Sequence, residues 1–296
     1  MNLLTPEKVR SWLPVRSQDA NKGTFGRVLV VAGSRTMCGA GYLCAKSALL
    51  AGAGLVFWAL PKSMQPSFAA ALPEVITLPM PETEEGELSG EALYELTDFM
   101  ADKKPSLAVV GPGMGKSPLL IPFLQTYNLP LVADADALNA LSKEPNWTVW
   151  WPKNRPCIFT PHPGEMARLL HTQIAATAQE RIKQVEALQQ KTGNVCLLKG
   201  ANTLVSGPGE TCQNPTGGPA LAKAGSGDVL SGVIAGLWAQ LGTQADFSDS
   251  AFRAACCGVY LHGLAGDLAA RKRSDYGVLA SDTASCVPEA ICELLK

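Results

Sequence analysis

Residues Asn214–Gly242, NPTGGPALAKAGSGDVLSGVIAGLWAQLG, decide how the rest of the chain is read: glycines, a single acid and an apolar run follow one another within a few positions. Gly225, Ser226 and Gly227 lack bulky side chains, so their backbone N–H groups can converge on an anion. A helix starting near Asp228 aims its positive end at the same point. Asp228 then faces any bound phosphate with a like charge, a tension that a metal ion or a proton transfer relieves. The residue therefore reads as a working base or, alternatively, as a simple helix cap. The apolar run behind it predicts a buried helix.

Upstream, short β-branched strands alternate with helical segments. Arg27 to Ala32 (RVLVVA) breaks at Gly33 and Ser34, and the small-residue segment Gly39 to Gly54 suits a helix packed tightly on the sheet. Further strands are expected at Leu55 to Leu60, Val75 to Leu78, Leu107 to Val110, Leu131 to Ala133, Cys157 to Thr160 and Val195 to Leu198, with another beginning at Thr203. Thr177 to Thr192 has the spacing of an amphipathic surface helix, and Ala251 to Arg271 and Leu279 to Leu295 read as closing helices. This alternation predicts an α/β fold with a mainly parallel central sheet, helices on both faces, and a single domain over residues 1–296.

Several strand ends carry residues suited to chemistry. GPGMGKSP at Gly111 to Pro118 resembles a P-loop, but a Walker A motif needs a glycine where this chain has Val110, so the turn is glycine-rich without being that motif. Gly113 is a candidate ligand contact there or part of a plain tight turn. Asp134 and Asp136 follow a strand and suit either magnesium held through water or helix capping. Pro161 and Pro163 hold the backbone on both sides of His162, a candidate contact, and Glu165 suits a cap or a metal reached through water. Lys199 and the Gly200 turn offer a cation and free backbone to nucleotide phosphates; the alternative for Lys199 is a surface charge.

With 296 residues, 47% of them hydrophobic, the chain can bury a large core, and a net charge of −1 gives no field that would draw nucleic acid or an anionic membrane. Any polyanionic ligand therefore needs a local site. Nine scattered cysteines without metal-ligand spacing read as the reduced thiols of a cytoplasmic protein. The amino terminus lacks the apolar core of a signal peptide, and no run reaches a membrane span.

In order, NKGTFGRVLVVAGS, CGAGYLCAKSALLAGAG, VVGPGMGKS, ADADALNAL, FTPHPGEMARLL, LLKGANTLV and the stretch quoted first resemble the ADP/ATP-dependent NAD(P)H-hydrate dehydratases, a branch of the ribokinase-like superfamily. The resemblance runs from about Asn21 to Gly242 and more loosely to the end, and only a short segment precedes the first strand, so it implies a stand-alone dehydratase without the epimerase domain that many relatives carry. It implies repair of the S-form of hydrated NADH or NADPH: the ring hydroxyl is phosphorylated by ADP or ATP with Mg2+, and phosphate then leaves. Position by position, it assigns Ala40, Gly113, His162 and Asp228 to the hydrated dinucleotide and Lys199, Gly200, Ala201, Asn202, Thr203 and Gly227 to the adenine nucleotide. Asp228 is the implied base, Gly225 to Gly227 the implied anion hole, and a homotetramer the implied assembly. Where the family usually reads TGNPGMATAG, Thr216 to Gly225 read TGGPALAKAG, so Gly218, Ala220 and Lys223 depart from it, and Lys223 adds a cation near the phosphate route. The rival readings are a ribokinase-like vitamin or sugar kinase and a non-catalytic nucleotide sensor.

Overall fold

The computed structural model describes residues 1–152 and 154–296. Ten strands form one sheet: β1 (Asn2–Leu3), β2 (Arg27–Val31), β3 (Leu55–Pro61), β4 (Ile76–Met80), β5 (Leu107–Val110), β6 (Leu131–Ala133), β7 (Cys157–Phe159), β8 (Val195–Leu198), β9 (Leu204–Gly207) and β10 (Glu210–Gln213). Their spatial order is β1-β10-β9-β8-β7-β6-β5-β2-β3-β4. All neighbours from β8 to β4 run parallel, whereas β9 runs antiparallel to both β8 and β10. The expected mainly parallel α/β architecture is thus present, with an antiparallel edge in addition.

Two of those edge strands lie outside the expected set. β1 has two residues and β10 reads ETCQ, so neither carries an apolar period. Their strand character comes from pairing, β10 with β9 through the Pro208–Gly209 turn and β1 with β10. Gly209 supplies the positive φ (80°) that the tight turn needs.

The central strands are apolar on both faces because both are covered. Val28, Val30, Val56, Trp58, Val109 and Ile158 pack into one cluster, and Leu29, Val31, Phe57, Val110 and Phe159 into the other. Helices Cys38–Leu50, Ser226–Gln244, Phe247–Gly277 and Ala280–Leu295 supply the first cluster. Helices Ala92–Lys103, Leu120–Thr126, Asp136–Leu141, Pro163–Leu170 and Ala178–Thr192 supply the second. Burying each large apolar side chain contributes roughly 1.5–3 kcal/mol, which makes the two layers the main source of stability. Phe247–Gly277 is longer than the expected Ala251 to Arg271 because the Asp246 side chain caps its start, accepting from Ser248 N at 2.7 Å; non-helical backbone at Ser274 interrupts its end.

Ser226–Gln244 is the innermost helix of its layer. It lies so close to Cys38–Leu50 that a side chain on Gly232 would begin 2.2 Å from the Cys44 carbonyl oxygen, and one on Gly236 would begin 2.3 Å from that of Ala48. This contact sets the depth at which the helix start meets the sheet edge. At that edge the carboxyl ends of β6, β7 and β8 bring up Asp134, His162 and Lys199. Antiparallel β9 begins there after Thr203, and β10 ends there at Gln213, followed by Asn214, whose N–H donates to the Thr203 carbonyl at 2.9 Å.

Candidate functional site

The helix start is built by a glycine turn. Gly225 is the N-cap residue with φ 88°, and a side chain there would begin 2.6 Å from Leu43, so backbone shape and space both demand glycine. The Ser226 amide closes the turn by donating to the Lys223 carbonyl at 3.3 Å, which takes it out of the expected three-amide anion hole. Among the described residues the amides of Gly227 and Asp228 make no hydrogen bond, so the open donor pair lies one step further along. Asp228 is the third residue of the helix, past the capping position, and makes no capping contact.

Beneath the turn lies a polar network that the sequence showed only in pieces. Lys199 Nζ donates to Asp134 Oδ1 at 2.7 Å, and Ser231 Oγ donates to Asp134 Oδ2 at 2.7 Å. Both oxygens of this carboxylate, which is 1% exposed, are therefore occupied. Lys199 is no surface charge: its ammonium stands 3.9 Å from Glu165 Oε2 and 3.4 Å from where a Gly227 side chain would begin. Asp134 thus caps no helix: the N-cap of the next helix is Ala135, with no side-chain bond.

His162 and Glu165 form a reciprocal capping box at the helix Pro163–Leu170. His162 Nδ1 accepts from the amides of Gly164 (3.0 Å) and Glu165 (3.3 Å), and Glu165 Oε2 accepts from the His162 amide at 2.8 Å. With Nδ1 accepting, the neutral ring carries its hydrogen on Nε2, which lies 3.3 Å from Glu165 Oε1. Nearby, Gly200 (φ 138°) and Asn202 (φ 55°) shape the loop Gly200 to Thr203, which Arg181 braces by donating to the Ala201 carbonyl at 2.8 Å.

These parts line one cavity of about 990 Å³, at the upper end of the size of small-molecule sites. Asp134, His162, Glu165, Lys199, the Gly200 to Thr203 loop, Ser226, Gly227 and Asp228 all face it. Ala40, Gly113 and Gly225 do not line it. Ala40 and Gly113 lie against each other instead, a Gly113 side chain beginning 2.7 Å from Ala40 Cβ. A second cavity of about 280 Å³, beside Trp151 and Gly193, shares no lining residue with the first.

Asn214, Thr216 and His262 were not singled out from the sequence but belong to the wall. Asn214 Nδ2 donates to the carbonyls of Thr216 and Val259, both at 3.1 Å, and His262 Nε2 lies 3.3 Å from Ser226 Oγ. Asn214 and Thr216 stand in the quoted stretch just ahead of its glycines; His262 sits in a helix that read as packing. Lys223 turns toward the end of the long helix, donating to the Tyr276 carbonyl at 2.5 Å.

The electrostatics follow from burial. Burial pushes the Asp228 carboxyl up to about 7; the Asp134 charge adds to the rise and Lys199 opposes it. Glu165 is also pushed up to about 7, chiefly by burial, with Lys199 opposing. Burial drives His262 down to about 4, and burial together with Lys199 and Arg168 holds His162 below its ordinary value. For Lys199, burial pulls the ammonium down, but Asp134 and Glu165 outweigh it and hold the group above the usual lysine value. Among the described residues no cluster of three or more His, Cys, Asp or Glu side chains is placed to hold a metal ion.

A mainly parallel sheet with helices on both faces and a cavity at its carboxyl edge is the ribokinase-like α/β fold, shared with a ribokinase-like superfamily protein of Enterococcus faecalis at 27% identity and a TM-score of 0.81, over 99% of this chain and 96% of that one. A hydroxyethylthiazole kinase from Pyrococcus horikoshii shares this fold at 14% identity and a TM-score of 0.55. Within that class the chain belongs to the NAD(P)H-hydrate dehydratase family, whose model matches residues 28–289. It is 42% identical to a bifunctional NAD(P)H-hydrate repair enzyme of Moorella thermoacetica and 32% identical to that of Escherichia coli, over 99% and 96% of its own length. The chain spans about half the length of the curated relatives it matches, 54% and 51% for these two. Among solved structures it resembles the ADP/ATP-dependent NAD(P)H-hydrate dehydratase of Bacillus subtilis co-crystallised with ATP and Mg2+. There the TM-score is 0.82 at 28% identity, covering 99% of this chain and 98% of that one.

Proposed function

We propose that this chain restores hydrated NADH or NADPH, in the S-form, by phosphorylating the ring hydroxyl from ADP or ATP and eliminating phosphate. One observation carries the reading: a half-buried carboxylate, Asp228, adjoins the open amides of Gly227 and Asp228, with the Lys199 ammonium lining the same cavity of about 990 Å³. Hydroxide is a poor leaving group near neutral pH and phosphate a good one. Asp228 accepts the hydroxyl proton as the phosphoryl group arrives, and a carboxyl poised near 7 is both ionised enough and basic enough for that task. The two amides and Lys199 offset the charge that builds on the transferred group.

Lys199 and the Gly200 to Thr203 loop hold the adenine nucleotide, with Gly227 beside its phosphates, and His162 borders the dinucleotide. Ala40 and Gly113, outside this cavity, would meet the dinucleotide only where it extends past the cavity wall. Among the described residues no cluster of three or more His, Cys, Asp or Glu side chains is placed to hold a metal ion. Magnesium would arrive with the nucleotide co-substrate and offset phosphate charge.

The test mixes the purified chain with hydrated NADH, ADP or ATP, and magnesium, and follows the near-ultraviolet absorbance of reduced nicotinamide. Recovery supports the reading. Nucleotide cleavage only with vitamin or sugar acceptors would replace it with a small-molecule kinase, and binding without cleavage would leave a sensor.

A further inference from the structure

Resting on that reading, the elimination half of the reaction has a proton to place. Rebuilding the ring double bond breaks two bonds: the C–O bond, whose electron pair leaves with phosphate, and a C–H bond on the neighbouring carbon, whose pair becomes the new double bond. The hydroxyl proton has already gone to Asp228 in the phosphorylation step. The C–H proton needs a second acceptor while Asp228 is occupied.

Few titratable side chains line the cavity, and most are spoken for. Asp134 already accepts short bonds at both oxygens, from Lys199 and Ser231. Lys199 and Lys223 are ammonium groups with no lone pair to offer. His162 uses its free nitrogen, Nδ1, as the acceptor for two backbone amides. His262 presents Nε2 to the Ser226 hydroxyl, deep under the glycine turn.

We propose that Glu165 is the second proton acceptor: it takes the ring C–H proton as phosphate leaves, from a carboxylate that lines the same cavity as Asp228 and stands 3.9 Å from the Lys199 ammonium. Glu165 Oε2 is fixed by the His162 amide at 2.8 Å, so the capping box that starts the helix also aims the carboxylate. The Lys199 ammonium, 3.9 Å away, favours the ionised form of Glu165 and likewise opposes the rise at Asp228. Burial raises the carboxyl to about 7, which gives it the basicity to compete for a proton from carbon as the ring nitrogen pushes out the phosphate. At the end of a turnover Asp228 holds the hydroxyl proton, Glu165 holds the C–H proton, and the oxygen has left with the phosphate, so the elements of water are accounted for.

The decisive variant is Glu165→Gln, because glutamine keeps an oxygen for the His162 amide and preserves the capping box but cannot take the proton. In single-turnover mixing of the full chain with hydrated NADH and magnesium nucleotide, nucleotide cleavage and recovery of reduced nicotinamide are timed separately. Cleavage should stay within about threefold of the parent while recovery falls by about 10²–10⁴, so that phosphorylated hydrate accumulates to one equivalent per site. Deuterium on the ring carbon that loses its proton should slow recovery and leave cleavage unchanged. Unchanged recovery in Glu165→Gln, or equal loss of both half-reactions in a variant that melts like the parent, would overturn the assignment. If Glu165→Gln fails to fold, Glu165→Asp decides: slowed recovery with normal cleavage supports it, and normal recovery overturns it. A parent chain that cleaves no nucleotide with the hydrate would instead overturn the underlying function.

Discussion

Two glycine turns, each ending a strand or starting a helix, look alike in sequence and behave in opposite ways. In the turn Gly111 to Pro118 the Gly115 amide donates to Asp136 Oδ2 and the Lys116 amide to Glu87 Oε1, both at 2.8 Å. That turn is an anion site already filled by the protein's own carboxylates. In the turn Gly225 to Asp228 the amides of Gly227 and Asp228 stay open, and the Lys199 ammonium stands 3.4 Å from where a Gly227 side chain would begin. Glycine makes both shapes possible; whether an acid from elsewhere reaches in decides which one can take a phosphate.

The comparison breaks first at Asp228. Asp228→Asn should lower the rate of nucleotide cleavage with hydrated NADH by about 10²–10⁴ and leave nucleotide affinity nearly unchanged; a loss in affinity with an unchanged rate would make the residue a binding group instead.

The pH profile comes next. Because Asp228 works ionised and its carboxyl sits at about 7, nucleotide cleavage should fall as pH drops below 7, approaching about tenfold per pH unit. Stability runs the other way: a raised carboxyl pKa contributes stability that is fully present at acid pH and lost as pH rises from the ordinary Asp range through about 7. Thermal melts of the parent and of Asp228→Asn should therefore diverge at pH 8, with the variant the more stable, and converge near pH 4. A cleavage rate flat from pH 5 to pH 8 would remove Asp228 as the base.

At the filled turn the effects fall on stability alone. Gly115 has φ 65°, and a side chain there would begin 2.2 Å from Glu87 Oε1, so Gly115→Ala should cost about 1–3 kcal/mol in denaturant melts while nucleotide affinity holds. Glu87→Gln exchanges a charge-assisted bond for a neutral one and should cost about 1 kcal/mol or less, again without touching nucleotide affinity. If either change weakened nucleotide binding, the first turn would belong to the site after all.

Much of this molecule is legible from local pattern. The apolar runs of β2, β6 and β8 and the helix behind Asp228 stand where the sequence places them, because a strand covered on both faces must be apolar along its length. Lys199, His162, Gly227 and Asp228 announce themselves by standing at strand ends or at a glycine turn, and the fold brings them to one cavity. The edge strands β1 and β10 carry no such pattern and exist through their partners.

Tertiary structure alone decided how the polar groups were paired. Asp134 read as a cap or a magnesium ligand until folding set it against Lys199, 65 residues away, and Ser231, 97 residues away. The Ser226 amide was consumed by its own turn, and Gly111 to Pro118 was closed by Glu87 from a neighbouring loop and Asp136 from the start of the helix Asp136–Leu141. Hydrophobic period is written residue by residue, since burial acts on each side chain separately. A buried charge must instead find its counterpart wherever the chain brings one, and that distance in sequence carries no local signal.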